Sequence, residues 1–195
     1  MSVRLALARG AQACLVLLVV GLSAAACSRT SPVTTIVIGS HLPLSGADAD
    51  SGLAMARGYR RAVDTINAGG GLRIGRPARA VHVRLDLRDD GGDPAAVDRL
   101  VETLAAAGCH ALLGSASDVR TAMEAAVADR LGVPLVVNRT DAPGLPGPRQ
   151  EWVFSIEAAG DLEARAYATA RALFDAIEAA RTIDPVALRN ALANR

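Results

Sequence analysis

Histidines, cysteines and a run of carboxylates are the groups in this 195-residue chain with reactive chemistry to offer. His41, His82 and His110 lie at no spacing that would gather them on a metal. Asp89, Asp90 and Asp93 form an acidic turn, but the spacing is not that of a calcium loop and no glutamate closes it. Ser115 and Ser117 have no general base in the surrounding pattern and no nucleophile elbow around them. Gly69, Gly70 and Gly71 follow a helical stretch rather than a strand, which excludes a phosphate-cradling loop. Asn138-Arg139-Thr140 matches a glycosylation sequon. The expectation is therefore a protein that is not an enzyme, with no cofactor and no metal. The histidines are expected to be structural or solvated.

Cysteine usage points to an address. Arg4 and Arg9 precede an uncharged stretch from Gly10 to Ser28, whose centre, Cys14 to Leu22, is strongly apolar. The small residues Ser23, Ala24, Ala25 and Ala26 then lead into Cys27. A basic start, a short apolar middle and a small-residue end make a signal peptide, and a Cys directly after them resembles a bacterial lipobox, in which that thiol is acylated. Ala24 departs from that pattern, since Leu is commoner there. A plain secretory signal and a retained membrane helix are the alternatives, the run being short for a bilayer span. Cleavage before Cys27 removes Cys14 and leaves Cys109 alone, without a disulfide framework. Cys109 then reads as a small buried hydrophobe.

Composition narrows the rest. The chain is 51% hydrophobic but only 3% aromatic, so Ala, Val and Leu must fill the core. All 21 basic residues are Arg, and the net charge is +1. Neither a basic patch nor an aromatic platform supports nucleic-acid binding.

The elements that must position these residues alternate strand and helix. Thr34 to Gly39 is a β-rich run. Leu53, Ala56, Tyr59, Val63 and Ile66 recur at helical spacing, and the Gly69–Gly71 run ends that helix. Val81 to Leu87 alternates as a strand with one less-buried face, near an edge. Asp93-Pro94 starts a helix through Val97, Leu100, Val101 and Leu104. Ala111–Leu113, Pro134–Val137 and Trp152–Ile156 read as further strands, with a helix to Leu131 that turns Met123 and Val127 inward. A long helix from Asp161 to Arg181 and a short one opened by Asp184-Pro185 close the chain. This alternation predicts a parallel αβα sheet of five strands with right-handed crossovers. Ligands bind such sheets beyond the carboxyl ends of the strands.

In their order, Ile36–Gly39 with Leu42–Gly46, Gly58–Gly71, Asp89–Pro94, Leu112–Ser117, and Gly132–Val136 with Thr140–Pro143 resemble the substrate-binding proteins of branched-chain amino acid ABC transporters. The resemblance covers about 110 residues, and Ala166–Leu192 is similar to the end of the same family. It implies a Rossmann-like single lobe of a type I periplasmic binding protein. Residues 1–26 would be the signal, 27–35 a tether, 36–156 the N-terminal lobe and 157–195 C-terminal helices on that lobe. Family members are about twice as long and close two lobes over the ligand, so one lobe offers half the contacts and no hinge closure.

The function so implied is a solute-binding lipoprotein of an ABC uptake system, taking a small polar solute such as an amino acid or amide. Ser117, Asp118, Thr140 and Asp141 would line the site, and Ser115 and Ala116 would supply backbone groups. Asp118 and Asp141 depart from the family pattern. Ionised carboxylates cannot donate to a ligand carboxylate and favour an amine or guanidinium. Helix capping by Asp118 and a side-chain-closed turn at Asp141 are the plain alternatives. Implied partners are the solute, an ABC permease and the membrane through lipid on Cys27, at the outer face of the cytoplasmic membrane. A non-binding remnant that pairs with itself or another chain through the surface of the missing lobe is the competing reading.

Overall fold

The β-rich run after the tether builds β1 (Thr35–Leu42), with Ile36, Ile38 and Leu42 fully buried. The computed structural model describes residues 34–139 and 143–195. Thr34–Arg195 makes one compact unit. The remaining strands are β2 (Leu72–Ile74), β3 (Arg79–Asp89), β4 (Ala111–Leu113), β5 (Leu135–Asn138) and β6 (Val153–Ile156). Among the described residues they form a six-stranded sheet in the order β2-β3-β1-β4-β5-β6. Neighbouring pairs are parallel except β2 with β3, which is antiparallel.

That hairpin corrects the expectation of five parallel strands. β2 is only three residues long between glycine-rich turns, too short to print an alternation. It pairs with the first residues of β3, Leu72 opposite Val81 and Ile74 opposite Arg79. Beyond Val81 the outer edge of β3 meets Asn67 instead. The Asn67 side-chain amide donates to Val83 O and its oxygen accepts from Val83 N–H, both at 2.8 Å. One side chain thus stands in for a strand residue and blunts an edge that would otherwise template association.

Among the described residues there are five helices: α1 (Ala49–Ala68), α2 (Val97–Ala106) and α3 (Asp118–Leu131) connect strands, and α4 (Leu162–Ala180) and α5 (Pro185–Ala193) follow β6. Three of their starts follow from capping chemistry. The carboxylates of Asp93, Asp161 and Asp184 accept from Ala95, Ala164 and Ala187 N–H groups, satisfying amides that a helix start leaves free. Asp93 opens a short 3₁₀ turn, Pro94–Ala96, ahead of α2.

Helices α2 and α3 cover one face of the sheet, where Val97, Val101, Leu104, Leu112, Ala125, Ala128, Leu135 and Val153 form the core. Cys109 packs into the same cluster, and burial pushes its thiol up to about 11. Helices α1 and α4 cover the other face and pack on each other, with α5 on α4. Their crossing depends on Gly58. A Cβ there would lie 2.3 Å from Glu163 O and 2.8 Å from Ala166 Cβ. Leu53, expected on the buried face of α1, is 39% exposed. Ala56, Tyr59 and Val63 are buried as the spacing implies, and at the turn of Leu53 the buried residues are Gly52 and Met55. Among the described residues no helix is long and apolar enough to cross a membrane.

Candidate functional site

The order of crossovers places a crevice between the carboxyl ends of β1 and β4. The chain leaves β1 through α1 towards β3, then returns past β1 to β4. Loops at such a switch point diverge to opposite faces and leave room between them. A cleft of about 430 Å³ opens here, lined by Asp48 and Ser51 from the β1–α1 side and by Ala116, Ser117, Asp118, Val119 and Arg120 from the β4–α3 side.

Three of the expected site residues, Ala116, Ser117 and Asp118, therefore stand together on the cleft wall. Ser117 is the N-cap of α3, in extended conformation, and its side chain makes no capping hydrogen bond. Asp118 is the first helical residue rather than the cap, which corrects the capping alternative, and its side chain is exposed. Ser115 is 2% exposed and borders a small inner cavity of about 10 Å³ with Met55, Tyr59, Thr121, Val137 and Asn138. Its carbonyl accepts from Thr121 Oγ1 at 3.2 Å, and Tyr59 donates to Gly114 O at 2.8 Å. Thr140, Asp141 and Cys27 lie outside the described residues.

The loops that frame the cleft are tied to each other by carboxylates. Asp89 Oδ1 accepts from Leu44, Ser45 and Gly91 N–H groups. Hydrogen bonding from Ser45, then from Gly91 and Leu44, holds its carboxyl below the ordinary range. Gly46, at φ +80°, lets this mouth loop touch the acidic turn, because a Cβ would sit 2.7 Å from Gly91 O. Asp90 Oδ1 accepts from Gly92 N–H at 2.8 Å. The acidic turn thus spends Asp89 Oδ1 and Asp90 Oδ1 on backbone amides and leaves Asp90 Oδ2 for side chains.

Beneath the cleft floor lies a group of charges that sequence reasoning did not assemble. Arg120 is only 4% exposed. Its Nη1 donates to Asp48 Oδ2 at 3.1 Å and to Gly92 O at 3.0 Å, and its Nε lies 3.7 Å from Asp90 Oδ2. One guanidinium from α3 therefore clasps both neighbouring loops. His41, fully buried at the end of β1, donates from Nδ1 to Asp90 Oδ2 at 2.8 Å. Its Nε2 faces Glu124 Oε2 at 3.6 Å. Glu124 is fully buried, and neither carboxyl oxygen has a hydrogen-bond partner.

Burial pushes the Glu124 carboxyl up to about 7, against the opposing charge of His41. Burial alone would lower the His41 pKa. The charge of Glu124 and the bond and charge of Asp90 outweigh it, so that pKa is raised. The two protons depend on each other, since a charged Glu124 raises His41 and a charged His41 lowers Glu124, with Arg120 beside Asp90 and Asp48. Asp48 and Arg120 also line the cleft, while His41, Asp90 and Glu124 are buried behind it, and the contacts of Arg120 tie the loops that frame it. A signal for it was present in α3: Arg120 and Glu124 stand four apart beside Thr121, on a face where apolar residues were expected. Met123, expected inward, is half-buried against the core cluster.

His110 anchors β1 as well, its Nδ1 accepting from Val37 N–H at 3.0 Å. His82 is exposed on β3. Among the described residues no group of three or more His, Cys, Asp or Glu is arranged to hold a metal.

Comparison with known proteins agrees with this geometry. Among curated proteins none matches the chain. The branched-chain amino acid transporter substrate-binding protein LivJ from Streptococcus pneumoniae, solved in complex with isoleucine, is 29% identical with a TM-score of 0.54, over 62% of this chain and 33% of that one. A substrate-binding periplasmic protein from Ralstonia solanacearum is also 29% identical with a TM-score of 0.54, over 64% and 34%. An ABC transporter substrate-binding protein from Sphaerobacter thermophilus shares the fold, with a TM-score of 0.52 at 24% identity over 62% and 32%. The matched region spans about a third of the length of these solved structures. The mostly parallel sheet with its flanking helices is that of a type I periplasmic binding protein lobe. The family profile described as periplasmic binding protein matches residues 35–161, and the chain belongs to that family.

Proposed function

We propose that this chain is a solute-binding lobe of an ABC-type uptake system, exported and held at the outer face of the cytoplasmic membrane by lipid on Cys27. The observation that carries the binding role is the cleft at the β1/β4 switch point, walled by Ser117 and Asp118 and backed by a buried guanidinium. A small zwitterion suits it. A ligand carboxylate is favoured near the first N–H groups of α3, and the exposed Asp118 carboxylate suits an amine. Ser117 supplies a hydroxyl unspent on capping. Thr140 and Asp141 complete the proposed set from the loop after β5. The partner that receives the solute is an ABC permease. Isothermal titration of the protein with amino acids and amides tests the reading: saturable heat at millimolar ligand or tighter supports it, and its absence across the panel removes it.

A second reading has its own support. Val119, 61% exposed, lines the cleft at the start of α3, and Leu53, 39% exposed, lies two residues beyond the cleft residue Ser51 on α1. Apolar side chains on the rim suit a covering surface, a second copy or another chain, as a protein-interaction lobe would require. Light scattering separates the two. A strict monomer that binds solute favours the first reading, and a dimer that Leu53→Ser and Val119→Ser dissolve favours the second.

A further inference from the structure

We infer, on the solute-binding role proposed for the cleft, that its solute is an amino acid with a positively charged side chain, an amine or a guanidinium, and that Asp118 selects for that charge. Among the described residues three charged side chains line the wall: Asp48, Asp118 and Arg120. Two of them form a pair, Arg120 Nη1 donating to Asp48 Oδ2 at 3.1 Å. That contact leaves part of each group unused. Asp48 Oδ1 and Arg120 Nη2 make no bond among the described residues. The Arg120 side chain is only 5% exposed, and that of Asp48 is 54% exposed. A buried cation and an open acceptor thus stand side by side on the wall, matching the adjacent carboxylate and ammonium of an α-amino acid. Arg120 lies in the first turn of α3, so a carboxylate held there also gains from the first N–H groups of that helix.

Asp118 is left over. It is exposed, and its side chain makes no hydrogen bond or ion pair among the described residues. A zwitterion with a neutral side chain answers the Arg120–Asp48 pair and leaves the Asp118 carboxylate without a counter-charge. One further positive charge on the solute balances the wall. An aliphatic side chain has little to rest on. Ala116 and Val119 are the apolar residues of the wall, and Val119 is exposed at its rim. Most of a leucine-sized side chain therefore stays in water and gains little from burial. Ser51 and Ser117 add hydroxyls without charge.

Isothermal titration of the protein with arginine, lysine, leucine, glutamine and glutamate reads the preference. Arginine or lysine is expected to bind about ten-fold more tightly than leucine and glutamine, since a hydrogen bond to a charged group contributes about that much. Glutamate is expected to bind most weakly. The preference should shrink at about 0.5 M salt, where screening shortens the reach of charge. Asp118→Asn should bring arginine and lysine to the level of leucine, while leucine itself stays within about two-fold of its parent value. Asp64→Asn, which removes an exposed carboxylate late in α1, should leave the preference unchanged. Leucine, glutamine or glutamate bound as tightly as arginine and lysine overturns the cationic class and leaves the solute-binding role. A preference that Asp118→Asn and Asp64→Asn reduce equally, or that neither reduces, overturns the assignment of Asp118. No saturable heat with any of the five, from a protein with a cooperative melt, removes the solute-binding role and the cationic class with it.

Discussion

Replacing Glu124 by Gln should make the protein more stable at alkaline pH and barely change it in mild acid. Glu124 is fully buried with no hydrogen-bond partner for either oxygen, and burial raises its carboxyl from an ordinary 4.5 to about 7. Between those values the folded protein holds a proton that the unfolded chain has released. Stability therefore falls as pH rises through that window, and above it the loss is complete. At about 1.4 kcal/mol per pH unit the loss amounts to about 3 kcal/mol. His41 acts with the same sign. Its raised pKa contributes stability that is full below about pH 6.5 and fades as the folded group deprotonates. His110, whose pKa burial lowers, works the other way below about pH 6.5, so the comparison must be between variants at each pH. Glutamine has the shape of protonated glutamate and does not titrate. Urea unfolding followed by circular dichroism should place Glu124→Gln within about 1 kcal/mol of the parent at pH 5 and 2–3 kcal/mol above it at about pH 8. Parallel stability curves for the two proteins from pH 5 to 8 would refute the assignment of Glu124 as the buried proton holder.

Arg120→Leu removes the clasp while leaving Asp90 buried beside His41, and should lower stability by about 3–5 kcal/mol, read as a fall in the urea midpoint. Gly58→Ala gains helix propensity but drives a methyl onto Glu163 O at the α1–α4 crossing, so a net loss of about 1–3 kcal/mol is expected in the same assay. Asn67→Ala strips both bonds from Val83. It should cost about 1–2 kcal/mol and raise self-association in light scattering by opening the β3 edge.

Much of the layering was legible because it rests on patterns that a linear reading can detect. Asp93-Pro94 and Asp184-Pro185 announce helix starts that the capping bonds display, and Val97, Leu100, Val101 and Leu104 turn inward at helical spacing. β2 was invisible because three residues carry no period, and its existence depends on β3 being there to pair with it. Leu53 misled because Gly52 and Met55 are the residues packed at that turn of α1, and a glycine adds nothing to an apolar stripe. The cleft residues Ser117 and Asp118 were approached through the loop they share, since strand-end loops carry ligands in parallel sheets. Arg120, Glu124 and His41 escaped because charged side chains read as solvated until a fold brings them together. Their contacts join residues 72 and 83 positions apart in sequence, Asp48 with Arg120 and His41 with Glu124.

The clasp at Arg120 has a consequence for how ligand preference can change. The mouth loop through Asp48, the acidic turn through Gly92 and Asp90, and α3 all converge on one guanidinium. None of the three can shift without dragging the others, so the wall behaves as a stencil of fixed outline. On the proposed reading of the cleft, preference among solutes would be retuned at positions outside that knot, Ser117 and Asp118 among them. Substitutions among the residues that tie it would alter every solute's fit at once.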